Sequence, residues 1–331
     1  MKKHLLKKIT AFVGMAAMSV GLLSGCGSSS GKSASGGSGK IMLIGTDKKD
    51  AYRKSLMDAI LSEAKKAGVT IDDREVGEDV EKQAEAARNA ASGGYSAIIC
   101  RLADASTAPQ IELAAGGLPV IYVNNQPDES ALKADKYMYV ASDESQCGKL
   151  QAEYVIKKLG KKEMNVVILE GEKGHSATIQ RTLANKNTFK RDGIKVNIVF
   201  EDYCDWLDTE ARHKLDLFFK SGKSVDAILS NNDTMALGAI QALEDNGLDP
   251  KKIPVTGVDA TSDGCKSISQ GKMSFTVFQN AKGQAAKAVE IAKTLGSGKS
   301  AKGIKGVTDN RLYGWVPFEP VDSSNVSKYM S

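Results

Sequence analysis

The sequence predicts an α/β protein made of two similar, doubly wound parallel-sheet lobes. Three observations carry that prediction. From residue 40 onward short apolar strands alternate with amphipathic helices, most of the strands are continuously apolar, and the strand–helix series runs twice. Continuous apolar strands belong to sheets covered on both faces, and strand–helix alternation makes such sheets parallel. At 331 residues, 41% hydrophobic and 26% charged, the chain is long enough for two cores.

The first series opens with the strand KIMLIG. The helix AYRKSLMDAILSEAKKAG follows, with Leu56, Ile60, Leu61 and Ala64 on one face and Gly68 as its stop. VTIDDREV is the next strand, and EKQAEAARNAAS is an Ala-rich helix ended by Gly93 and Gly94. YSAIICR, LPVIYV and YMYVAS are strands, with a helix over STAPQIELAAGG. The second series begins near residue 143 with the helix ESQCGKLQAEYVIKKLG and the strand MNVVILE. The loop GEKGHSATIQR then leads into a helix through Phe189. IKVNIVFED, VDAILSN, IPVTGVDA and KMSFTVFQ are strands, separated by the helices TEARHKLDLFFKS, TMALGAIQALEDNG and DGCKSISQ. The long helix AKGQAAKAVEIAKTLGSG, a short strand near RLYGWVPF and a polar tail complete the chain.

The segment before residue 40 has a different character. MKKHLLKKIT is basic, AFVGMAAMSVGLL is apolar, and together they read as a secretory signal over residues 1–25. The apolar run is too short for a comfortable membrane span. LSGC, ending at Cys26, resembles the lipobox of bacterial lipoproteins, which implies an acylated Cys26 and a lipid anchor. Residues 26–39 then form a Gly/Ser leash that has nothing with which to bury a core. The net charge of +5 owes four positives to Lys2, Lys3, Lys7 and Lys8. Without them the body is close to neutral and carries no electrostatic footprint for nucleic acid. Cys100, Cys147, Cys204 and Cys265 show neither C-x-x-C nor zinc spacing, and their disulfide state stays open.

In open parallel sheets ligands sit outside the carboxyl ends of the strands, near the point where strand order switches. The residues at those ends are Asp50, Tyr52, Asn124, Asn125, His175, Arg181, Trp206, Asn231, Asn232, Asp233, Asp259 and Gln279. Carboxylates, amides, a histidine and an arginine can pair with several hydroxyl groups, and aromatic rings can stack on the C–H face of a sugar. Charge-assisted bonds from hydroxyls to carboxylates are the strong ones, and an unmatched buried group costs about 1–3 kcal/mol. Structural alternatives remain for single residues: Asp50 and Asp233 as helix caps, Trp206 as a core aromatic, His175 bonded only to backbone.

DAYRKSL, VIYVNNQPDESAL, YMYVASDES, LEGEKGH with Arg181, SNNDTMALGAIQAL, IPVTGVDA and TVFQNAKGQAAKA together resemble the periplasmic sugar-binding proteins of the galactose/glucose and ribose group. The resemblance implies the type I binding-protein fold with a three-segment hinge. It implies one lobe from residues 40–142 plus 279–314 and the other from 143–278 plus 315–331. It also implies a monosaccharide ligand, a hexopyranose such as glucose or galactose, held in the cleft by hinge closure and bound by Asp50, Tyr52, Asn124, His175, Arg181, Trp206, Asn232, Asp259 and Gln279. The partners it implies are an ABC permease with its ATPase, and the receptor itself is expected to be monomeric. Two departures stand out: Ala177 where the resemblance expects an acid, and Gln279 where it expects an asparagine. GKKE, after Leu159, lacks the alternating oxygen ligands of a calcium loop, so neither metal nor cofactor is expected. GEKGHSAT lacks the Lys-Ser/Thr ending of a P-loop, and no partner stands at catalytic spacing from His175, so the chain is not read as an enzyme. A transcription regulator would need a helix-turn-helix where this chain has a leader. A receptor presenting sugar to a chemoreceptor or sensor kinase is the alternative reading.

Overall fold

The computed structural model describes residues 39–48 and 50–330. The expected leader, Cys26 and nearly all of the leash lie outside the described residues.

The first half contains β1 (Ile41–Gly45), α1 (Ala51–Lys66), β2 (Ile71–Glu75), α2 (Val80–Ser92), β3 (Ala97–Cys100), α3 (Ala108–Ala114), β4 (Val120–Val123) and β5 (Tyr137–Ala141). The second contains α4 (Glu144–Leu159), β6 (Glu163–Glu170), α5 (Ser176–Arg191), β7 (Lys195–Tyr203), α6 (Asp208–Lys220) and β8 (Ala227–Ser230). It continues through α7 (Asp233–Asp245), β9 (Val255–Thr256), α8 (Ser262–Ser269) and β10 (Thr276–Phe278). The chain ends with α9 (Ala281–Gly296), β11 (Tyr313–Trp315) and β12 (Glu319–Val321).

Two parallel sheets result. One has the order β11-β5-β4-β3-β1-β2, the other β7-β6-β8-β9. The runs β2-β1-β3-β4 and β7-β6-β8-β9 share one topology, so each sheet reverses its strand order beside its own first strand. Apolar residues alternate between faces along these strands. Ile41 and Leu43 of β1 pack with α1 and α9, while Met42 and Ile44 pack with α2 and α3 on the other side. In β6, Val166 packs with α4 and α5, whereas Val167 and Leu169 face α6, α7 and α8. Burial on both faces is what the unbroken apolar strands require. The edge strand β2, IDDRE, is polar because it is largely exposed.

The chain passes between the two sheets three times. β5 ends in the first sheet and α4 packs on α5 beside the second. β10 runs next to β9, through bonds from Gly257 N–H to Phe275 O and from Asp259 N–H to Val277 O. From there α9 returns to pack on α1 and β3. β11 joins the first sheet beside β5 and extends through Trp315, after which β12 pairs antiparallel with β10. The tail read as polar thus holds a strand. Its sequence, EPV, has no period to reveal it, and pairing with β10 is what makes it a strand.

α4 packs closely on α5. A Cβ at Gly148 would lie 2.2 Å from the Arg181 carbonyl oxygen. Gly148→Ala is therefore expected to force α4 off α5 and cost about 1–3 kcal/mol, read from the midpoint of urea unfolding.

Candidate functional site

Strand ends from both sheets contribute to one cavity. Asp50, Tyr52, Arg53, Asn124, His175, Ala177, Arg181, Trp206, Asn232, Asp259 and Gln279 line it. All nine residues expected from sequence are there, joined by Arg53 and by Ala177.

Several of these residues serve the backbone as well as the cavity. Asp50 is the N-cap of α1 and accepts the Arg53 N–H at 2.8 Å. Asn232 caps α7, accepting the Met235 N–H at 2.8 Å. His175 caps α5 through Nδ1, which accepts the Ala177 N–H at 3.2 Å, so its proton sits on Nε2. Cap and cavity roles coexist because the cavity is built from helix starts. Asp233, read as a cap, opens α7 outside the cavity. Its carboxylate instead accepts from Thr261 N–H at 2.7 Å and Thr276 Oγ1 at 2.6 Å, which ties the Asp259 turn to the second sheet.

Trp206 lies flat against Gly171, where a Cβ would meet the indole at 2.1 Å. The glycine of the GEKGH loop thus makes room for an aromatic ring. The His175 ring meets that indole edge-on at 5.3 Å, and the Trp206 Nε1 is buried with no protein partner. Tyr52 donates to Gln284 Oε1 at 2.7 Å, and Gln284 donates to Ser142 Oγ at 2.9 Å, at the first crossing.

Arg181 sits at the centre. Its Nε donates to Glu144 at 2.6 Å, its Nη1 to the Asn231 carbonyl, and its Nη2 to Gln279 Oε1 at 3.0 Å. Glu144 starts α4 after the first crossing, and Gln279 is the second crossing, so one guanidinium fastens both. Burial works to lower the Arg181 pKa, but the Glu144 carboxylate outweighs it and the group is held firmly charged. Burial pushes Asp259 well above the ordinary carboxylate value; Arg181 pulls it back and the charge of Asp50 adds to the rise. His175 is held well below its usual pKa, first by burial and then by Arg101, Arg53 and Arg181. The cavity therefore offers a neutral imidazole beside the carboxyl groups of Asp50 and Asp259. Among the described residues no group of three His, Cys, Asp or Glu side chains is arranged to hold a metal ion. The cysteines Cys100, Cys147, Cys204 and Cys265 are buried and free, and none of them lines the cavity.

Sequence reading passed over Arg53, Glu144 and Glu172. Arg53 directly follows Tyr52, and that adjacency is its only signal in the sequence. Glu144 looked like an ordinary helix-start acid, and only the fold sets it under Arg181.

Two parallel α/β halves, crossed three times by the chain and enclosing one polar, aromatic-walled cavity, define a two-lobed solute-binding protein. The model of the periplasmic binding protein domain matches residues 41–300, and the chain belongs to that family. It is 32% identical to a Rhizobium meliloti protein assigned to rhizopine binding, over 79% of this chain and 82% of that one. It is 30% identical to the D-galactose/methyl-galactoside binding periplasmic protein MglB of Haemophilus influenzae, over 72% of this chain and 76% of that one. An ABC transporter solute-binding protein of Bacillus halodurans, solved with myo-inositol, superimposes with a TM-score of 0.79 at 30% identity, covering 90% of this chain and 99% of that one.

Glu144→Gln keeps the shape but leaves a buried guanidinium without its counter-charge. It should cost about 3–5 kcal/mol of stability, measured by urea unfolding. For His175 the native pKa is depressed, so its contribution to stability is complete above about pH 6.5 and is lost as pH falls toward the native value. The Tm difference between wild type and His175→Gln should accordingly shrink from pH 7.5 to pH 5.0.

Proposed function

We propose that this chain is the extracytoplasmic substrate-binding protein of an ABC sugar importer, lipid-anchored through Cys26 and acting as a monomer without enzymatic activity. Its ligand is one six-membered polyhydroxylated ring, a hexopyranose such as glucose or galactose, or an inositol, taken into the cavity between the halves. The observation that carries this reading is the convergence of nine residues at strand ends and helix starts, drawn from both halves, on one polar, aromatic-walled cavity. Relatives named for galactose and methyl-galactoside, and one holding myo-inositol, support a polyhydroxylated ring.

The chemistry follows from the residues. Asp50 and Asp259 accept hydroxyl protons in charge-assisted bonds, and each such bond favours the ionised form that burial alone opposes at Asp259. Asn124, Asn232 and the Nε2–H of His175 match the remaining oxygens, while Trp206 and Tyr52 cover the C–H faces. Ala177, 2% exposed, leaves an apolar wall where relatives of the galactose type are expected to place an acid. A ring without a free anomeric hydroxyl, such as an inositol, loses nothing there. Ligand contacts made by both halves at once favour the closed arrangement by as much as they differ from the open one. The permease then recognises the closed form.

Purified mature protein should gain several degrees in Tm with at least one of glucose, galactose and myo-inositol at a hundredfold excess over Kd, which corresponds to about 2.7 kcal/mol. Trp206→Ala and Asp259→Ala should each abolish that gain and the calorimetric binding signal while leaving the ligand-free fold intact. Unchanged affinity in both variants would exclude this cavity as the binding site.

A further inference from the structure

Two ion pairs cross between the halves among the described residues, and both end on Glu172. Arg53, from α1, donates through Nη2 to Glu172 Oε2 at 2.6 Å; Arg101, following β3, holds its own Nη2 3.8 Å from the same oxygen. Glu172 belongs to the other half, in the loop after β6 that also carries Gly171 and His175.

The two arginines are arranged in parallel. Each is bonded through Nη1 to Glu78, a residue of its own half, at 3.0 Å for Arg53 and 2.5 Å for Arg101. Arg53 Nη1 also stands 3.9 Å from Asp47. Each Nη2 then faces across the gap. Arg101 has a side chain only 1% exposed, yet its Nη2 makes no hydrogen bond. A buried guanidinium arm without a partner is costly, so its approach to Glu172 is the one compensation in reach. Through Nε, Arg101 also donates to Asn124 Oδ1 at 3.2 Å, which links the group to the cavity wall.

Position decides what such a bridge does. Arg53 lines the cavity with a side chain 9% exposed, and Glu172, outside the lining, is 36% exposed. The order from inside outward is cavity, Arg53, Glu172, water. Beside this bridge, neutral bonds join the halves: Gln126 N–H to Ser176 Oγ at 2.8 Å, Ser176 N–H to Asn125 Oδ1 at 3.3 Å, and Gln180 to Gln126 at 3.0 Å. These donors and acceptors find water equally well when the halves part. The Glu172 contact is the charged one.

We propose that Glu172 is the closing latch of the cavity, a positioning residue that docks on Arg53 and Arg101 across the gap and sets how long a bound ring is retained. The proposal rests on the ring-binding, closing reading given above. An ion pair formed only in the closed state slows dissociation more than it speeds association. Being partly exposed, it acts modestly and is weakened by salt.

Glu172→Gln and Glu78→Gln separate this role from simple fastening of Arg53, because both remove a carboxylate from the same guanidinium but only Glu172 comes from the opposite half. With whichever of glucose, galactose or myo-inositol binds, Glu172→Gln should raise the stopped-flow dissociation rate roughly three- to tenfold with little change in association. Raising NaCl from 0.05 to 0.5 M should bring the wild type toward that rate and move the variant less. Glu78→Gln should dissociate no faster than wild type. A Glu172→Gln rate within twofold of wild type, or equal acceleration by Glu78→Gln, overturns the latch. Ligand-free X-ray scattering gives an independent reading: Glu172→Gln should show a larger radius of gyration than wild type at low salt, and identical profiles would count against the proposal. If none of the three polyols binds, the ring-binding reading fails, and the scattering comparison alone judges the latch.

Discussion

The buried pair of Arg181 and Glu144 is the interaction on which the rest of this structure leans. A guanidinium inside a protein is tolerated only with a close counter-charge and with its remaining donors satisfied. Here those needs are met by Glu144 at the start of α4, the Asn231 carbonyl after β8, and Gln279 at the second crossing. Satisfying one side chain therefore fixes where two of the three crossings lie relative to the second sheet. It also presents Arg181 to the cavity already oriented, at 6.0 Å from the Trp206 ring.

The cavity is assembled from strand ends that turn in conformations L-residues rarely adopt. Asn124, Trp206, Asp259 and Ala260 all have positive φ, at 65°, 66°, 109° and 53°. Such backbone is costly for a residue with a side chain and persists where surrounding contacts over-determine it. Those contacts are visible: Arg101 on the Asn124 side chain, Gly171 beneath Trp206, and the Asp233 carboxylate on Thr261, directly after the Asp259–Ala260 turn. The turns aim side chains that an ordinary strand end would send elsewhere. They explain why small or buried acidic residues, Gly171 and Asp233, stand next to the cavity without lining it.

The loop GEKGHSATIQR concentrates these demands. Gly171 admits the indole, Glu172 reaches across to Arg53, His175 caps its helix and faces the cavity, Ser176 and Gln180 bond to the other half, and Arg181 holds the crossings. A glycine-rich turn after a strand is shaped here by an aromatic ring and an interface. No phosphate is needed to account for it.

Strand and helix order, the doubled series and the cavity residues were legible because each leaves a local trace: apolar periodicity, a turn after a strand, a polar residue where a sheet opens. Asp50 was legible as a cap or a cavity residue and His175 as backbone-bonded or a cavity residue, and a helix start at a strand's carboxyl end lets each be both. Glu144, Glu172 and Arg101 left no such trace, because their partners lie 37, 119 and 23 residues away and a charge in sequence does not name its counter-charge. β12 was missed for the same reason, its three residues becoming a strand only beside β10. Periodicity and turn chemistry, which act over a few residues, thus determined the fold class and the strand-end positions. Which charges meet, and which loop closes on which half, were decided by tertiary packing, because burial and Coulomb pairing act between residues that only the folded chain brings together.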